Sequence, residues 1–431
     1  MTALIFVTSK REKMKLQSSV TGAIKKLLVV YNQDMKSIIG ELCYKLNHHT
    51  QLVIWADEET HFQELKNFLD ERKISHSENL KSDISKCLIF ADNNKFVEWV
   101  RDPFLVLSEP GKINLINSSN CERQALNSEK LNKKPSVSEP NLSLAGILET
   151  KGIIHGIIKP RELPCIEPCT DDWFVIESGN ILIDDDFIFI GGDQFKMLAI
   201  LLGLDKDCSG EKKVIKLIHE LFLTNEEDIK IPILGYESIC DNENKINSMC
   251  FYSKFFKKNI NESVLIFPPF PGLIHIDLYI TLTGVKTDEG RYVLLVGQPM
   301  NENWEIIYHE EKNIIPIIRQ LEAIKTKAGE QKFLVKRNPM IRVKDKPSSE
   351  PYTFSYNNCL VEVLEPKGPN TVWLPQFSYG DTSGKRIKFD REVRSIWEEL
   401  GFRVVFIEAD FHPFCKALGS LHCLTNELLR K

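Results

Sequence analysis

The chain has 431 residues, 42% of them hydrophobic and 27% charged, which is the balance of ordinary globular material. That length suits two or three domains, although one domain built from repeats also reaches it. A net charge of −5 supplies no field that would draw in nucleic acid or an anionic membrane, and neither is expected as a partner.

The basic runs Lys10–Lys15 and Lys130–Pro135 are short and lie in polar surroundings, so they read as solvated surface. No stretch reaches the roughly 18 consecutive apolar residues that a membrane helix needs. In MTALIFVTSKREKMK the charges follow a very short apolar run, the reverse of a secretory signal, and a cytosolic location is expected. Eleven cysteines, an odd number scattered through a long chain, suggest reduced thiols rather than a disulfide framework. Cys165-Ile-Glu-Pro-Cys169 has a spacing a metal could use, but no second pair completes four ligands, and no metal is expected. Cys415, eight residues before Cys423, reads as a buried or incidental thiol rather than a resolving one.

Short apolar strands alternate with amphipathic helices, which predicts a mixed α/β fold. Residues 26–31 (KLLVVY) predict a strand, 34–46 a helix, 51–55 (QLVIW) a strand, 61–72 a helix and 86–91 another strand. Residues 1–25 are set apart as an N-terminal extension, and His48-His49 reads as loop surface. After Phe96–Leu107 the composition turns polar, and Ile116 to about Asn141 is rich in Ser, Asn, Lys and Glu. That marks a solvated insertion, placed within about 110–170.

Order resumes with residues 173–183 (WFVIESGNILI) and 187–190, then a turn at Gly191-Gly192 and a helix over about 212–222. A further block has strands over 264–267, 275–282 and 292–297 with a helix over about 314–324. The next has strands over 354–363 and 372–377 with a helix over about 390–400, and the last has a strand over 403–407 and a closing His-Cys segment. Strand, strand, helix, strand recurs four or five times, which suggests one closed repeat architecture over 26–431.

Five stretches put polar residues where strands end: Arg101-Asp102, Glu177-Ser-Gly-Asn180, His275-Ile-Asp277, Asn357-Asn358 and His422-Cys423. If 275–282 is a strand, His275, Asp277 and Tyr279 share one face. Taken singly, HID reads as a satisfied core pair, ESGN as a turn and RD as a surface salt bridge. His422 points away from the cysteine if its segment is extended. Taken together, a Cys, a His and three carboxylates are the groups needed to attack a guanidinium carbon. Carboxylates match its fork of N–H donors, a thiolate adds to the carbon, and a His serves as acid and then base.

Trp99-Val-Arg-Asp102, Glu177-Ser-Gly-Asn180, His275-Ile-Asp277 and Gly419-Ser-Leu-His-Cys423-Leu-Thr425 stand in the order seen in the guanidino-group-modifying (pentein) superfamily, which the chain resembles. Its members include agmatine, arginine and protein-arginine deiminases and the amidinotransferases. The segments 356–362 and 373–377 also resemble agmatine deiminases. The resemblance implies a five-bladed α/β propeller of ββαβ units with pseudo-fivefold symmetry and a site at its centre. It implies Cys423 as nucleophile, His275 as acid and base, and Asp102 and Asp277 as guanidinium-binding carboxylates. Glu177 would pair with His275 or the substrate, and Trp99, Arg101, Asn180 and Asn358 would line the substrate site. No cofactor is implied. The partner would be a small guanidino compound or a protein arginine, with a homodimer as one expected assembly. The alternatives are amidino transfer on the same fold, or a non-catalytic binding protein. The chain departs from the family pattern at Pro103-Phe104, at Ser178 and at Ala417-Leu418, where the family has Gly-Pro and glycines.

Overall fold

The computed structural model describes residues 15–56, 59–75, 87–91, 99–102, 104–109, 112–117, 145–146, 148–158, 178–191, 264–267, 275–326, 328–345, 349, 351–364 and 366–431. In chain order the elements begin with β1 (Lys15–Leu16), β2 (Ile24–Tyr31), α1 (Lys36–Lys45), β3 (Gln51–Ala56), α2 (Glu59–Ser75) and β4 (Cys87–Ala91). There follow β5 (Phe104–Glu109), β6 (Lys112–Asn117), β7 (Gly156–Ile158), β8 (Ile181–Ile183), β9 (Ile188–Gly191) and β10 (Val264–Phe267). Next come β11 (Ile280–Lys286), β12 (Tyr292–Asn301), α3 (Tyr308–Ala323), β13 (Phe333–Val343) and β14 (Tyr352–Ser355). The chain ends with β15 (Leu360–Glu362), β16 (Thr371–Pro375), α4 (Ile387–Glu399), β17 (Arg403–Ile407), α5 (His412–Lys416) and β18 (Asn426–Arg430).

The described strands form five sheets, ordered β1-β5-β6-β7, β10-β9-β8, β11-β12-β13-β14, β15-β16-β17 and β18-β2-β3-β4. Each contains the same three-strand core, an antiparallel pair followed by a parallel neighbour. The cores are β5-β6-β7, β8-β9-β10, β11-β12-β13, β15-β16-β17 and β18-β2-β3. A parallel pair needs a crossover, and α1, α3 and α4 supply it between β2 and β3, β12 and β13, and β16 and β17. The strand-strand-helix-strand rhythm of the sequence is therefore a repeated unit. The predicted helix over 212–222 lies outside the described residues.

Burial on both faces explains why β2 reads as an unbroken apolar run from Leu27 to Tyr31. Leu27, Val29 and Tyr31 join the cluster that includes Ile38, Ile39 and Leu42 of α1. Leu28 and Val30 face the other way and pack with Phe104, Val106 and Leu115 of the neighbouring sheet. α4 buries Phe389, Val393 and Trp397 at fourfold spacing, one stripe of a helix, and Phe389 stacks on Trp304 with ring centroids 4.2 Å apart. No described helix is long and apolar enough to cross a membrane.

Several expected boundaries shift. β1 pairs with β5, and Val20 and Ala23 are buried, so residues 15–25 belong to the fold rather than to an extension. Strands β6 and β7 lie inside the segment expected as an insertion, and they complete a sheet there. Residues 118–144 and Cys165 and Cys169 lie outside the described residues. His49 is half-buried, not loop surface, because its Nε2 meets the fully buried Glu362 carboxylate at 2.9 Å. β1, β5, β6, β7, β13, α5 and β18 had no counterpart in the sequence reading.

The last of these closes the molecule. β18 pairs antiparallel with β2, joining the end of the chain to an early strand. It carries Glu427 and Arg430, both buried. Glu427 forms ion pairs with Arg101 and, at 3.0 Å, with Arg430. Arg430 also donates to the carbonyls of Ser19, Val20, Gly22 and Val361 at 2.8–3.2 Å. Burial would raise the Glu427 carboxyl, but the two guanidinium groups overcome it and hold the group well below the usual carboxylate range. Removing one partner of a buried ion pair strands the other, at a cost of about 3–5 kcal/mol. Glu427→Gln, which keeps the shape and deletes the charge, should therefore lower the unfolding free energy measured in urea by an amount of that order, with a correspondingly lower midpoint. An unchanged midpoint would show that the two arginines find other compensation.

Candidate active site

Five turns meet at one buried place, and each precedes the first strand of one antiparallel pair. Residues 99–102 lead to β5, Ser178–Asn180 to β8, Ile276–Leu278 to β11, 356–359 to β15 and 421–424 to β18. Each repeated unit thus delivers one polar turn.

The segment at 275–279 corrects the sequence reading most directly. It is a 3-10 turn rather than a strand, with the strand beginning at Ile280. His275 and Asp277 still converge, as neighbours along a tight turn, and both are buried. Asn180 fixes this turn, since its Oδ1 accepts the Ile276 N–H at 3.1 Å. The adjacent Gly179 lies so close that a methyl group there would come within 2.5 Å of His275 Nδ1. Only a glycine leaves room for the imidazole. Asp102 faces the same ring, 3.7 Å from Nδ1, and its Oδ1 accepts the Gly179 N–H at 3.4 Å.

The cysteine arrives from α5. This short helix ends in a Schellman motif, with Leu418 N–H donating to the Cys415 carbonyl at 3.1 Å and Gly419 N–H to the Phe414 carbonyl at 3.0 Å. The motif needs a left-handed residue, and Leu418 takes that conformation at φ +66° where glycine is usual. Trp99 covers Gly419 closely enough that a side chain there would overlap its ring, and it packs edge-on against Phe414. The chain then turns tightly through 421–424, with Leu424 N–H donating to Ser420 and Thr425 N–H to His422.

That turn also overrides the reading of His422. In an extended segment it would point away from the site; in the turn its Nδ1 reaches Asp277 Oδ2 at 2.7 Å. Burial, and then the Arg101 charge, lowers the His422 pKa and leaves the ring neutral, so it donates Nδ1–H to the carboxylate. Burial opposes ionisation of Asp277, but His422, His275 and Arg101 outweigh it and depress the carboxyl. Among the described residues, Asp277 Oδ1 has no hydrogen-bond partner.

Arg101, expected in a surface salt bridge or against substrate, is buried beneath the turn. Its Nε donates to the carbonyls of His422 at 2.8 Å and Thr425 at 3.1 Å, and its Nη2 pairs with Glu427. Asn426 donates back to the carbonyls of Val100 and Arg101 at 3.2 Å. The Asp102 turn and the Cys423 turn are therefore stitched together.

Cys423 Sγ lies 3.4 Å from Asp277 Oδ2 and 3.0 Å from Asn358 Nδ2, and it is hydrogen-bonded to His275. Burial, with Asp277 next, pushes its thiol up to about 11, against the opposing pull of His275. Cys415 is also buried, and its pKa is raised far above normal. Ligand atoms of His275, Asp277 and Cys423 all lie within 4.8 Å of one another, near enough for a metal ion as well as for covalent chemistry. The structure thus brings together Cys423, His275, Asp277, Asp102, Asn180 and Asn358, with Trp99 and Arg101 supporting the cysteine turn. Glu177 lies outside the described residues.

No protein-family model and no curated sequence matches the chain. In fold it is similar to a presumed arginine deiminase from Porphyromonas gingivalis, with a TM-score of 0.56 at 12% identity over 96% of this chain and 97% of that one. It is similar also to a presumed peptidyl-arginine deiminase, with a TM-score of 0.54 at 13% identity over 96% and 98% of the two chains. A third similar structure is the agmatine deiminase of C. jejuni, with a TM-score of 0.52 at 12% identity over 96% and 95%. The likeness spans nearly the whole of each chain, and the protein shares the fold of these solved structures.

Proposed function

We propose that this protein is a deiminase that hydrolyses a guanidino group through a covalent bond to Cys423. One observation carries the reading: Cys423, His275 and Asp277 share one buried cluster, and Asp102 flanks it on the far side of His275. Buried carboxylates of this kind call for a cation. Among the described residues nothing hydrogen-bonds Asp277 Oδ1, where a planar N–H fork would dock. We also place the five units around one axis as a pseudo-fivefold propeller, which would explain why each sends its turn to the same point.

In this mechanism the guanidinium group binds between Asp102 and Asp277. Its positive charge offsets the Asp277 field that keeps the thiol protonated, so the proton passes to His275. The thiolate then attacks the guanidino carbon, and the tetrahedral adduct expels ammonia, protonated by His275. Water, deprotonated by the same imidazole, adds to the resulting amidino-thioester. Collapse releases a ureido product and restores the cysteine. Guanidinium and water thus become a ureido group and ammonium, with no oxidant, reductant or cofactor. Arg101 and Trp99 hold the cysteine turn, and Glu177, by its place in the motif, would orient His275.

A panel of agmatine, free arginine and arginine-containing peptides should release ammonia from at least one member, and Cys423→Ala should reduce that to background. Silence across the panel from well-folded protein would remove the deiminase reading for those substrates. The raised thiol pKa gives a second expectation. Without substrate, Cys423 should react sluggishly with neutral iodoacetamide at pH 7–9, its rate climbing tenfold per unit toward about 11. A cationic chloroacetamidine brings the missing positive charge and should label Cys423 faster than iodoacetamide does at pH 7.5. A thiol already ionised below pH 8 in the free protein would contradict this electrostatic picture.

A further inference from the structure

Asn358 sits in the 356–359 turn between β14 and β15, with no solvent exposure. Three of its atoms engage the cysteine turn. Its main-chain carbonyl accepts the His422 N–H at 3.4 Å. Its side-chain Oδ1 accepts the Cys423 N–H at 3.2 Å, and its Nδ2 donates to Cys423 Sγ at 3.0 Å. The backbone N–H is only a donor, so it fixes which end of the amide is oxygen and obliges the NH2 end to face the sulfur.

We propose that Asn358 is a thiolate-stabilising residue: its carboxamide grips Cys423 at two points, orienting the sulfur and donating a hydrogen bond to it once the proton has left. The geometry favours this role over substrate binding, because the cysteine itself engages both ends of the amide. The sulfur needs such a donor. Asp277 Oδ2 stands 3.4 Å away and repels the thiolate, and among the described residues the hydrogen bonds offered to Sγ come from Asn358 and His275. His275 must give up its proton to the leaving ammonia in the mechanism above. Asn358 has no proton to lose at any working pH and would support the thiolate throughout the cycle.

The assignment goes beyond the choice of substrate, since it requires Cys423 only as a thiol that ionises. Its test is the alkylation rate of Cys423 with iodoacetamide, read by mass spectrometry of the Cys423 peptide between pH 7 and 10. Asn358→Leu removes both hydrogen bonds. Asn358→Asp keeps an acceptor for the Cys423 N–H but replaces the N–H donor with a carboxylate. Both variants should alkylate about tenfold or more slowly than the parent at pH 9, with the rate against pH displaced to higher pH, and Asp should be the slower. A residue that merely packs the turn would behave in the opposite way: its loss would expose the sulfur and speed alkylation. An unchanged or faster rate in a folded Asn358→Asp protein overturns the proposal, and Asn358→Asp serves if the Leu variant does not fold. Slower alkylation together with a silent guanidino panel would uphold this role while removing the deiminase reading.

Discussion

One carboxylate, that of Glu427, lies buried between two guanidinium groups, and much of the molecule is arranged around that triad. Arg101 on one side belongs to the turn that presents Asp102, and its remaining donors hold the carbonyls of the Cys423 turn. Arg430 on the other side gathers carbonyls from residues 19–22 and from Val361 in β15. The first segment, the last strand and two intervening units are thereby tied to a single ionic centre. Buried ion pairs contribute little net stability when compared with well-packed apolar residues. Their value here is geometric, because a charge with fixed partners admits one placement of the turns that carry the reactive groups.

The same economy governs the sulfur. Every charged neighbour of Cys423 has a second commitment: Asp277 to His422, His275 to Asp102, Asp102 to the Gly179 amide. The resting arrangement favours a neutral thiol, since burial and the nearby carboxylates disfavour a second negative charge. In the proposed mechanism, a cation entering the cluster reverses that balance. Reactivity is then conditional on the ligand, which protects a buried thiol from neutral electrophiles.

The sequence carried the architecture unevenly. β2, β3 and β16 were legible because burial on both faces leaves short apolar runs, and β17 because RVVFI is as apolar, although only Phe406 and Ile407 are buried. β13 was not, because FLVKRNPMIRV interleaves Lys336, Arg337 and Arg342 with its apolar residues. The structure shows why they are tolerated: Arg337 and Arg342 leave the strand to pair with Glu311 and Glu310 of α3. β18 was missed for a related reason, as a strand reading NELLR looks like surface until Glu427 and Arg430 are seen to be buried together. At the site, motif order picked out residues that the structure brings together, whereas local geometry escaped it. Alternation made HID a strand when hydrogen bonding makes it a tight turn, and an extended tail would have turned His422 outward. The signal for that error was present in Gly419-Ser420, a turn sequence directly before the pair. Leu418, noted as a departure from glycine, takes up the backbone conformation a glycine would have supplied.

The pairing of β18 with β2 also sets an order of events in synthesis. β2 emerges among the first elements and β18 after all the others described, so β2 waits with one hydrogen-bonding edge unfilled while the intervening chain is made. Contacts this distant in sequence form late and slowly. The cysteine turn depends on β18 for Glu427 and on Arg101 for its carbonyls, so it takes shape only when that edge is filled. A nascent chain therefore holds its thiol in an unassembled state until the residues of β18 have been made. Pairing of β18 with β2 completes that sheet and brings Glu427 to the cysteine turn in one step.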